Sequence, residues 1–517
     1  MTAFTRFSTA ALSAVVLAGS ASALRAADVV PQGYNTPIPE DVLTPDRVKT
    51  RIGSFNYFDG FPNDDTMAKA RRQVDLGRGV QTFLNFMPAA SLEMLYVGHR
   101  DGYGMQPNRD IGVFEELMSS QSLWLTGNTD TVYASAFLDL SAGPMVVEVP
   151  AGTGPGTVND AFFRFVVDMG GPGPDRGKGG KYLIIGPGQT APANTDGYFV
   201  ANTPSKINWL ILRGFLDDEG KTDTAKNAFK GGLKVYPYAE RANPPANNFK
   251  NLTDWETNTI HANNFKFYEE LDEVIQREPS ELFSPELLGM ASAIGIQKGK
   301  PFNPSPEQKA LLTEAVAIGN ATARSILFAP QDPKAYIYPG KAGYWQTGFP
   351  GGNHEYLVDG GNGGRDMDGR TLFFYLATVN TPAMVLEMPG VGSQYTFSSR
   401  DSRGSYLDGA NSYSMTIPAN PPANRFWSFV VYDPQTRSML QSDEMPYPSK
   451  NNTRNTDMVK NADGSITLYF GPEAPEGLEA NWIKTVPGKG WFGIFRLYGP
   501  GQEWFDRTWT LGAIEKI

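Results

Sequence analysis

The chain has 517 residues, with 45 Lys+Arg against 55 Asp+Glu and 3 His, a formal charge of −10 at pH 7. That length suits two to four domains, and 40% hydrophobic with 12% aromatic residues is too apolar for a disordered chain. The acidic balance, with no local Lys/Arg cluster, removes the electrostatic footprint of a nucleic-acid binder. The absence of cysteine excludes disulfides, thiolate metal sites and thiol nucleophiles.

Residues 1–27 read as an export signal. Arg6 supplies the positive end, Ala10 to Ala18 the apolar core, and Ser22 to Ala26 a small-residue cleavage region with sites after Ala23 or Ala26. The core is far shorter than the ~18 apolar residues of a membrane span. The expectation is a free periplasmic or secreted protein.

Residues 28–110 begin with an irregular, Pro- and Asn-rich lead-in at 31–65. Leu76, Val80, Phe83, Leu84 and Met87 then form one stripe of an amphipathic helix that Pro88 is expected to end. A second short helix is expected through Leu92, Leu95 and Tyr96. Within 111–222 the period changes to two, with strands expected at 131–139, 145–149, 161–168, 181–185 and 207–213. Gly- and Pro-rich turns separate them, Gly170 to Gly180 most obviously, and the pattern indicates an antiparallel sandwich. That glycine-rich loop lacks phosphate-loop spacing and reads as a hairpin loop.

Residues 223–335 read as a helical module. Phe267, Tyr268, Leu271, Val274 and Ile275 form one stripe, and Ser305-Pro306-Glu307-Gln308 is a helix start with Ser305 as its cap. From 336 to 517 strands are expected near 372–378, 383–388, 426–432, 465–470 and 491–498, as in a jelly-roll-like sandwich. A phrase recurs, GPMVVEVP at 143–150 and TPAMVLEMP at 381–389, most simply as similar strand–turn chemistry.

Two blocks carry a resemblance. LTGNTDTVYASAFLDLSAGPMVVEVP (125–150), with FFRFVVDM and TPSKINWLILRGFL after it, resembles the bacterial domain of unknown function numbered twelve fifty-four. PPANRFWSFVVYDPQTRSML (421–440) and NADGSITLYFGPEAPEGLEANWIKTVPGKGWFGIFRLYGP (461–500) resemble its usual companion, the domain of unknown function numbered twelve fourteen. The resemblance implies an immunoglobulin-like N-terminal sandwich, a helical module and a C-terminal jelly-roll-like domain in an exported protein. It implies no catalytic residue.

Candidate site residues come from clusters of polar side chains. Asn128, Asp130 and Tyr133 lie in a dense hydrogen-bonding phrase before an apolar strand, where Asx-type turns are the plain alternative to ligand binding. Asp168, ending FFRFVVD, is a further candidate. Arg400, Asp401 and Arg403 form a second charged cluster, able to clamp an anion or to pair among themselves. Asp130 and Asp401 would make a general acid–base pair if they converge. His354 stands in the glycine-rich stretch 348–364. No HExxH or GxSxG pattern occurs, and no cofactor is expected. The loop 359–369 has oxygen ligands reminiscent of a calcium loop, with departing spacing. Aromatic residues crowd the C-terminal region, Trp427, Trp482, Trp491, Trp504 and Trp509 among them, as core or as stacking platforms.

The expectation is thus an α+β protein, mainly β: an immunoglobulin-like sandwich, a helical module and a C-terminal jelly-roll-like sandwich enclosing a cleft. Binding of a small polar or glycan-like ligand there is the first functional expectation. A metal-independent hydrolase using paired carboxylates and a structural envelope-assembly partner are the alternatives. Monomer and homo-oligomer are equally compatible with the sequence.

Overall fold

The computed structural model describes Gly33 and residues 38–338 and 344–517; the expected export signal lies outside the described residues. The chain divides into two compact units, one ending at Asp75 and one beginning at Leu76. In the first, the expected irregular lead-in instead folds partly as a small antiparallel sheet of β1 (Arg47–Thr50), β2 (Gly53–Phe58) and β3 (Phe61–Pro62). Helix α1 (Asp64–Val97) starts there. The Asn63 side chain accepts from the Thr66 N–H at 2.9 Å, satisfying one of the orphan donors of the first turn.

In the second unit α1 does not stop at Pro88 but runs through it to Val97. Phe83, Phe86, Met87, Leu92 and Leu95 on this stretch are all completely buried. An interior proline costs about 3 kcal/mol, and each large apolar side chain contributes roughly 1.5–3 kcal/mol on burial. Packing therefore outweighs the break.

The N-terminal sandwich is built from β4 (Asp110–Val113), β5 (Val132–Asp139), β6 (Met145–Val149), β7 (Gly156–Asn159), β8 (Phe165–Met169), β9 (Gly180–Ile185), β10 (Tyr198–Asn202), β11 (Ile207–Gly214), helix α2 (Asp223–Gly232), β12 (Lys234–Pro237) and β13 (Asn248–Asn251). A six-stranded sheet runs β13-β4-β5-β11-β7-β8 and a four-stranded one β10-β9-β6-β12. The sheets are mixed rather than purely antiparallel, since β10/β9 and β13/β4 pair in parallel. Strands β12 and β13 also show that residues up to Asn251 complete this sandwich. The expected all-helical module is confined to α3 (Lys266–Arg277), α4 (Pro285–Ala293) and α5 (Pro306–Phe328). Ser305 caps α5 as read, accepting from the Gln308 N–H at 3.2 Å.

Two expected C-terminal strands are absent. Residues 372–378 fall largely in helix α6 (Met367–Leu376), whose N-cap Asp366 accepts from the Gly369 N–H at 2.8 Å. Its residues from Gly369 to Leu376 are all buried, and an apolar run buried all round looks alike as helix or strand. Residues 383–388 begin inside a 3-10 turn at Pro382–Met384, where Thr381 Oγ1 accepts from the Ala383 N–H at 3.1 Å. The recurring phrase is therefore strand once and turn once.

The C-terminal sandwich comprises β14 (Ser393–Ser398), β15 (Tyr413–Ile417), β16 (Ala423–Tyr432), β17 (Ser449–Asn451), β18 (Ile466–Gly471), β19 (Trp482–Lys484), β20 (Phe492–Pro500) and β21 (Ile514–Lys516). Two four-stranded sheets, β14-β20-β16-β17 and β19-β18-β15-β21, make it up. The whole is a mixed α+β fold with β-sandwich domains. Among the described residues no helix is long and apolar enough to cross a membrane.

Strand alternation explains the layering. Along β11, Leu210 and Leu212 enter the N-terminal sandwich core, whereas Trp209 and Ile211 enter a central core with Phe83, Phe86, Phe374 and other helix side chains. Along β20, Phe495 and Leu497 enter the C-terminal core and Phe492 and Ile494 the central one. The period-two rule thus makes one sheet of each sandwich two-sided, and both sheets share the helical core.

Candidate functional site

Two arginines break that apolar alternation. Arg213 lies on β11 directly across from Tyr133 on β5. Arg496 lies on β20 directly across from Tyr395 on β14. Each sheet therefore supplies one cross-strand Arg–Tyr pair, and the pairs meet: Arg213 Nη1 donates to the Tyr395 hydroxyl at 3.3 Å. Arg496 is only 3% exposed. Its Nη2 donates to the Thr126 carbonyl at 3.0 Å, and its guanidinium lies 5.5 Å from the Tyr432 ring centroid and 5.9 Å from that of Tyr395. Arg496 Nη1 is buried without a hydrogen-bond partner, as is the Tyr498 hydroxyl.

These groups line a cavity of about 80 Å³. Arg213, Arg496, Tyr133, Tyr395 and Asn128 form its polar wall, and Trp124, Trp209, Phe349, Phe373, Phe397 and Met384 its apolar one. Arg213, Tyr395 and Met384 also border a smaller chamber of about 20 Å³ that includes Asp168. Tyr395, Phe349 and Met384 in turn border a third, roomier pocket of about 380 Å³ with Lys334, Glu387 and Arg507 on its rim.

The electrostatics are unbalanced. Neither half-buried Arg213 nor buried Arg496 makes a close ion pair with a carboxylate among the described residues, the Asp130 charge acting on Arg496 without such a contact, and a buried charge that is poorly paired is costly. Burial works to raise the Tyr395 phenol, but the charge and hydrogen bond of Arg213, with Arg496, reverse this and hold it below the ordinary tyrosine value. Asp168 is pushed up to about 6 by burial, against the hydrogen bond from Thr381, whose hydroxyl donates to it at 2.6 Å.

The structure brings together three of the residues proposed from sequence: Asn128 and Tyr133 in the main cavity and Asp168 in the smaller chamber. Asn128 orients Tyr133, its amide donating to the phenol oxygen. Asp130 does something else. It is fully buried, accepts from Ser428 at 2.5 Å and Asn451 at 3.1 Å, and so ties the N-terminal phrase to the C-terminal sheet. Asp401 is 2% exposed and caps its own turn, accepting from the Arg403 and Ser405 N–H groups at 2.9 Å each. The two carboxylates share no contact, and Asp130 borders a separate pocket of about 270 Å³ with Asp217, Asp218 and Arg425 that Asp401 does not line.

Arg400 folds back on its own loop, donating to the Gly404 carbonyl at 2.7 Å and the Tyr406 hydroxyl at 2.8 Å, and Arg403 is exposed. Neither lines the cavity. His354 is half-buried against Phe165, ring centroids 6.0 Å apart, outside the cavity wall. In the loop 359–369, Asp366 is the α6 cap, and no group of His, Asp or Glu able to hold a metal ion occurs among the described residues. Trp427, Trp491 and Trp504 are buried in the C-terminal core, not stacking platforms.

Sequence reasoning missed Arg213, Tyr395 and Arg496. Their signal is a single arginine inside an otherwise apolar strand run, INWLILRG and FGIFRLYGP, at an inward position of a two-sided sheet.

Comparison with known proteins agrees with this architecture. Residues 109–237 match the family model Protein of unknown function (DUF1254), and residues 392–502 match Protein of unknown function (DUF1214). No curated protein matches. Among solved structures, the VPA0106 protein from Vibrio parahaemolyticus aligns over 86% of this chain and 100% of its own, at 18% identity and a TM-score of 0.52. A putative uncharacterized protein from Burkholderia cenocepacia aligns over 87% of this chain and 96% of its own, at 12% identity and a TM-score of 0.38. The first shares the fold. In chain order, this protein thus matches the DUF1254 model and then the DUF1214 model.

Proposed function

We propose that this is an exported protein that binds a small organic anion with an apolar body in the cavity between its two sandwiches. Arg213 and Arg496 take the acid group, and the tryptophan and phenylalanine wall takes the rest. One observation carries the reading: Arg496 is buried with a free Nη1 at a cavity that holds a second arginine and has no carboxylate in its lining. An incoming carboxylate would satisfy the donors and offset the buried positive charge. Export rests on the pattern of residues 1–27.

This narrows the polar or glycan-like ligand expected from sequence, because the walls are mostly aromatic and aliphatic. It also disfavours the paired-carboxylate hydrolase, since Asp130 and Asp401 share no contact and each already accepts two hydrogen bonds. A purely structural assembly partner gives no reason for two unpaired arginines around a cavity.

A thermal-shift screen tests the reading, since a ligand specific for the folded state raises Tm. Benzoate and other small aromatic or aliphatic carboxylates are expected to raise it, and neutral sugars are not. A shift with sugars alone, or one with carboxylates that survives replacement of both arginines, contradicts the proposal.

A further inference from the structure

The sheets that supply the two arginines also enclose the smaller chamber beside the main cavity. On the N-terminal side Asp168 of β8 lies across from Thr157 of β7, and Thr157 across from Ile211 of β11. These three share one inward row, with Arg213 two residues further along β11 on the same face. On the C-terminal side Ser393 and Tyr395 stand two apart on β14, opposite Tyr498 and Arg496 of β20. Asp168, Arg213, Ser393, Tyr395, Thr157 and Thr381 form the polar wall of the chamber. Ile211, Arg213, Val379, Met384 and Tyr395 border both it and the main cavity.

One buried polar atom of this chamber is left over, and one acceptor has room. Ser393 is 2% exposed and its Oγ has no hydrogen-bond partner; the Tyr395 phenol is close enough to feel it, yet no hydrogen bond joins them. Asp168 is buried, and the Thr381 hydroxyl fills one of the roughly four acceptor positions of its carboxylate. Thr157 sends its own proton elsewhere, to the Val167 carbonyl at 3.1 Å. The Tyr498 hydroxyl, also unpartnered, stands across from Ser393 but outside the chamber wall. Asp130, whose charge acts on Arg496, lines neither chamber. Among the described residues, Asp168 is thus the carboxylate of these walls.

We propose that the small chamber is a hydroxyl subsite: the ligand held by Arg213 and Arg496 is a hydroxy acid whose hydroxyl, close to its carboxylate, donates to Asp168 and accepts from Ser393. This rests on the anion-binding reading above. The pairing of groups selects the chemistry. A hydroxyl both donates and accepts, whereas an ammonium only donates, a carbonyl only accepts and a methyl does neither. Size selects in the same direction, because a volume of about 20 Å³ admits one water-sized group, a water needing roughly 10–15 Å³. The short spacing follows from Arg213 and Tyr395, which wall both chambers. Groups on either side of one guanidinium belong on neighbouring carbons rather than at the two ends of a chain. An acid without the hydroxyl strands Ser393 and forgoes a bond to a charged acceptor, one of the stronger kinds.

The test compares mandelate with phenylacetate, which has the same carbon skeleton and no hydroxyl, by isothermal titration into the full chain. The buffer is set above the value of about 6 to which burial pushes Asp168, so that this group accepts. One enantiomer of mandelate is expected to bind at least about tenfold more tightly than phenylacetate, the low end for a hydrogen bond to a charged group. That ratio should drop at least about threefold in Ser393→Ala, which removes a hydroxyl that bonds to nothing else, and in Asp168→Asn, which keeps an acceptor for Thr381 and loses the charge. Equal binding of the two acids by the wild type overturns the hydroxyl subsite and leaves anion binding standing; binding of neither overturns both. A ratio that survives both variants overturns the proposal too, as does a gain for phenylglycine in place of mandelate, which would give the chamber to an ammonium.

Discussion

Arg213 of the N-terminal sandwich donates to Tyr395 of the C-terminal sandwich at 3.3 Å, and Tyr395 stands opposite Arg496 in its own sheet. The contact joins two sheets whose inward faces are otherwise aromatic and aliphatic. Charged residues at such positions are a stability burden unless something pairs with them. The burden is therefore the signature of a site, and it has a measurable consequence.

Replacing half-buried Arg213 or buried Arg496 by Met is expected to leave the ligand-free protein about as stable as before, because an apolar side chain of similar length takes the place of a guanidinium that makes no close ion pair. Thermal unfolding of the single variants measures this. A large loss of stability would mean that the arginines hold the fold together rather than await a ligand.

Asp130→Ala should do the opposite. Its carboxylate accepts from Ser428 and Asn451 across the junction, and removing it strands two buried donors, at a cost of about 2–4 kcal/mol. Unfolding in denaturant should show a lower midpoint. If Asp130→Ala were as stable as wild type, the phrase 126–131 would not be the strut described here.

Glu270 is pushed up to about 7 by burial, partly offset by the hydrogen bond from the Ala262 N–H. Between its unfolded value and about 7, the folded state holds this proton and the unfolded state does not. Stability from this group is therefore present at low pH and lost as pH rises through that window. Glu270→Gln keeps an acceptor for Ala262 and cannot ionise, so its Tm should exceed that of wild type by a few degrees at pH 8, with the gap closing toward pH 4.5. His99 and His261, held down at about 4 and about 3 by burial, lose stability in the other direction, as pH falls below the ordinary histidine range. A gap that stays constant with pH would show that Glu270 does not titrate in this window.

Gly319 on α5 marks how tightly the helices pack. A Cβ there would lie 2.7 Å from the Phe83 ring, and overpacking of this kind costs roughly 1–3 kcal/mol, more than the ~1 kcal/mol that alanine gains over glycine in a helix. Gly319→Ala should lower Tm. A rise would show that Phe83 has room to turn aside.

Much of this architecture is legible in the sequence. Strands such as Val132–Asp139 and Ile207–Gly214 announce themselves by period and by bounding turns, and Ser305 marks its helix start through capping chemistry. Pro88 and α6 were misleading for a shared reason: both sit where burial is complete, and burial on every side overrides local propensity and erases periodicity. The site was only half legible. Asn128 and Tyr133 stand in a conspicuous polar phrase, whereas Arg213, Tyr395 and Arg496 are isolated residues whose meaning depends on which face of a sheet is inward. That depends on the second sandwich, which no local pattern encodes. The charged loop Arg400–Asp408 was conspicuous for the opposite reason, being rich in polar groups that satisfy one another.

The measurement that bears most directly on the central claim is isothermal titration of benzoate into the wild type and into the Arg213→Met/Arg496→Met double variant. The account predicts saturable, near-stoichiometric binding to the wild type and none to the double variant, with the variant still folded. Equal binding by both proteins, or none by a folded wild type to benzoate or any other small carboxylate, would contradict it.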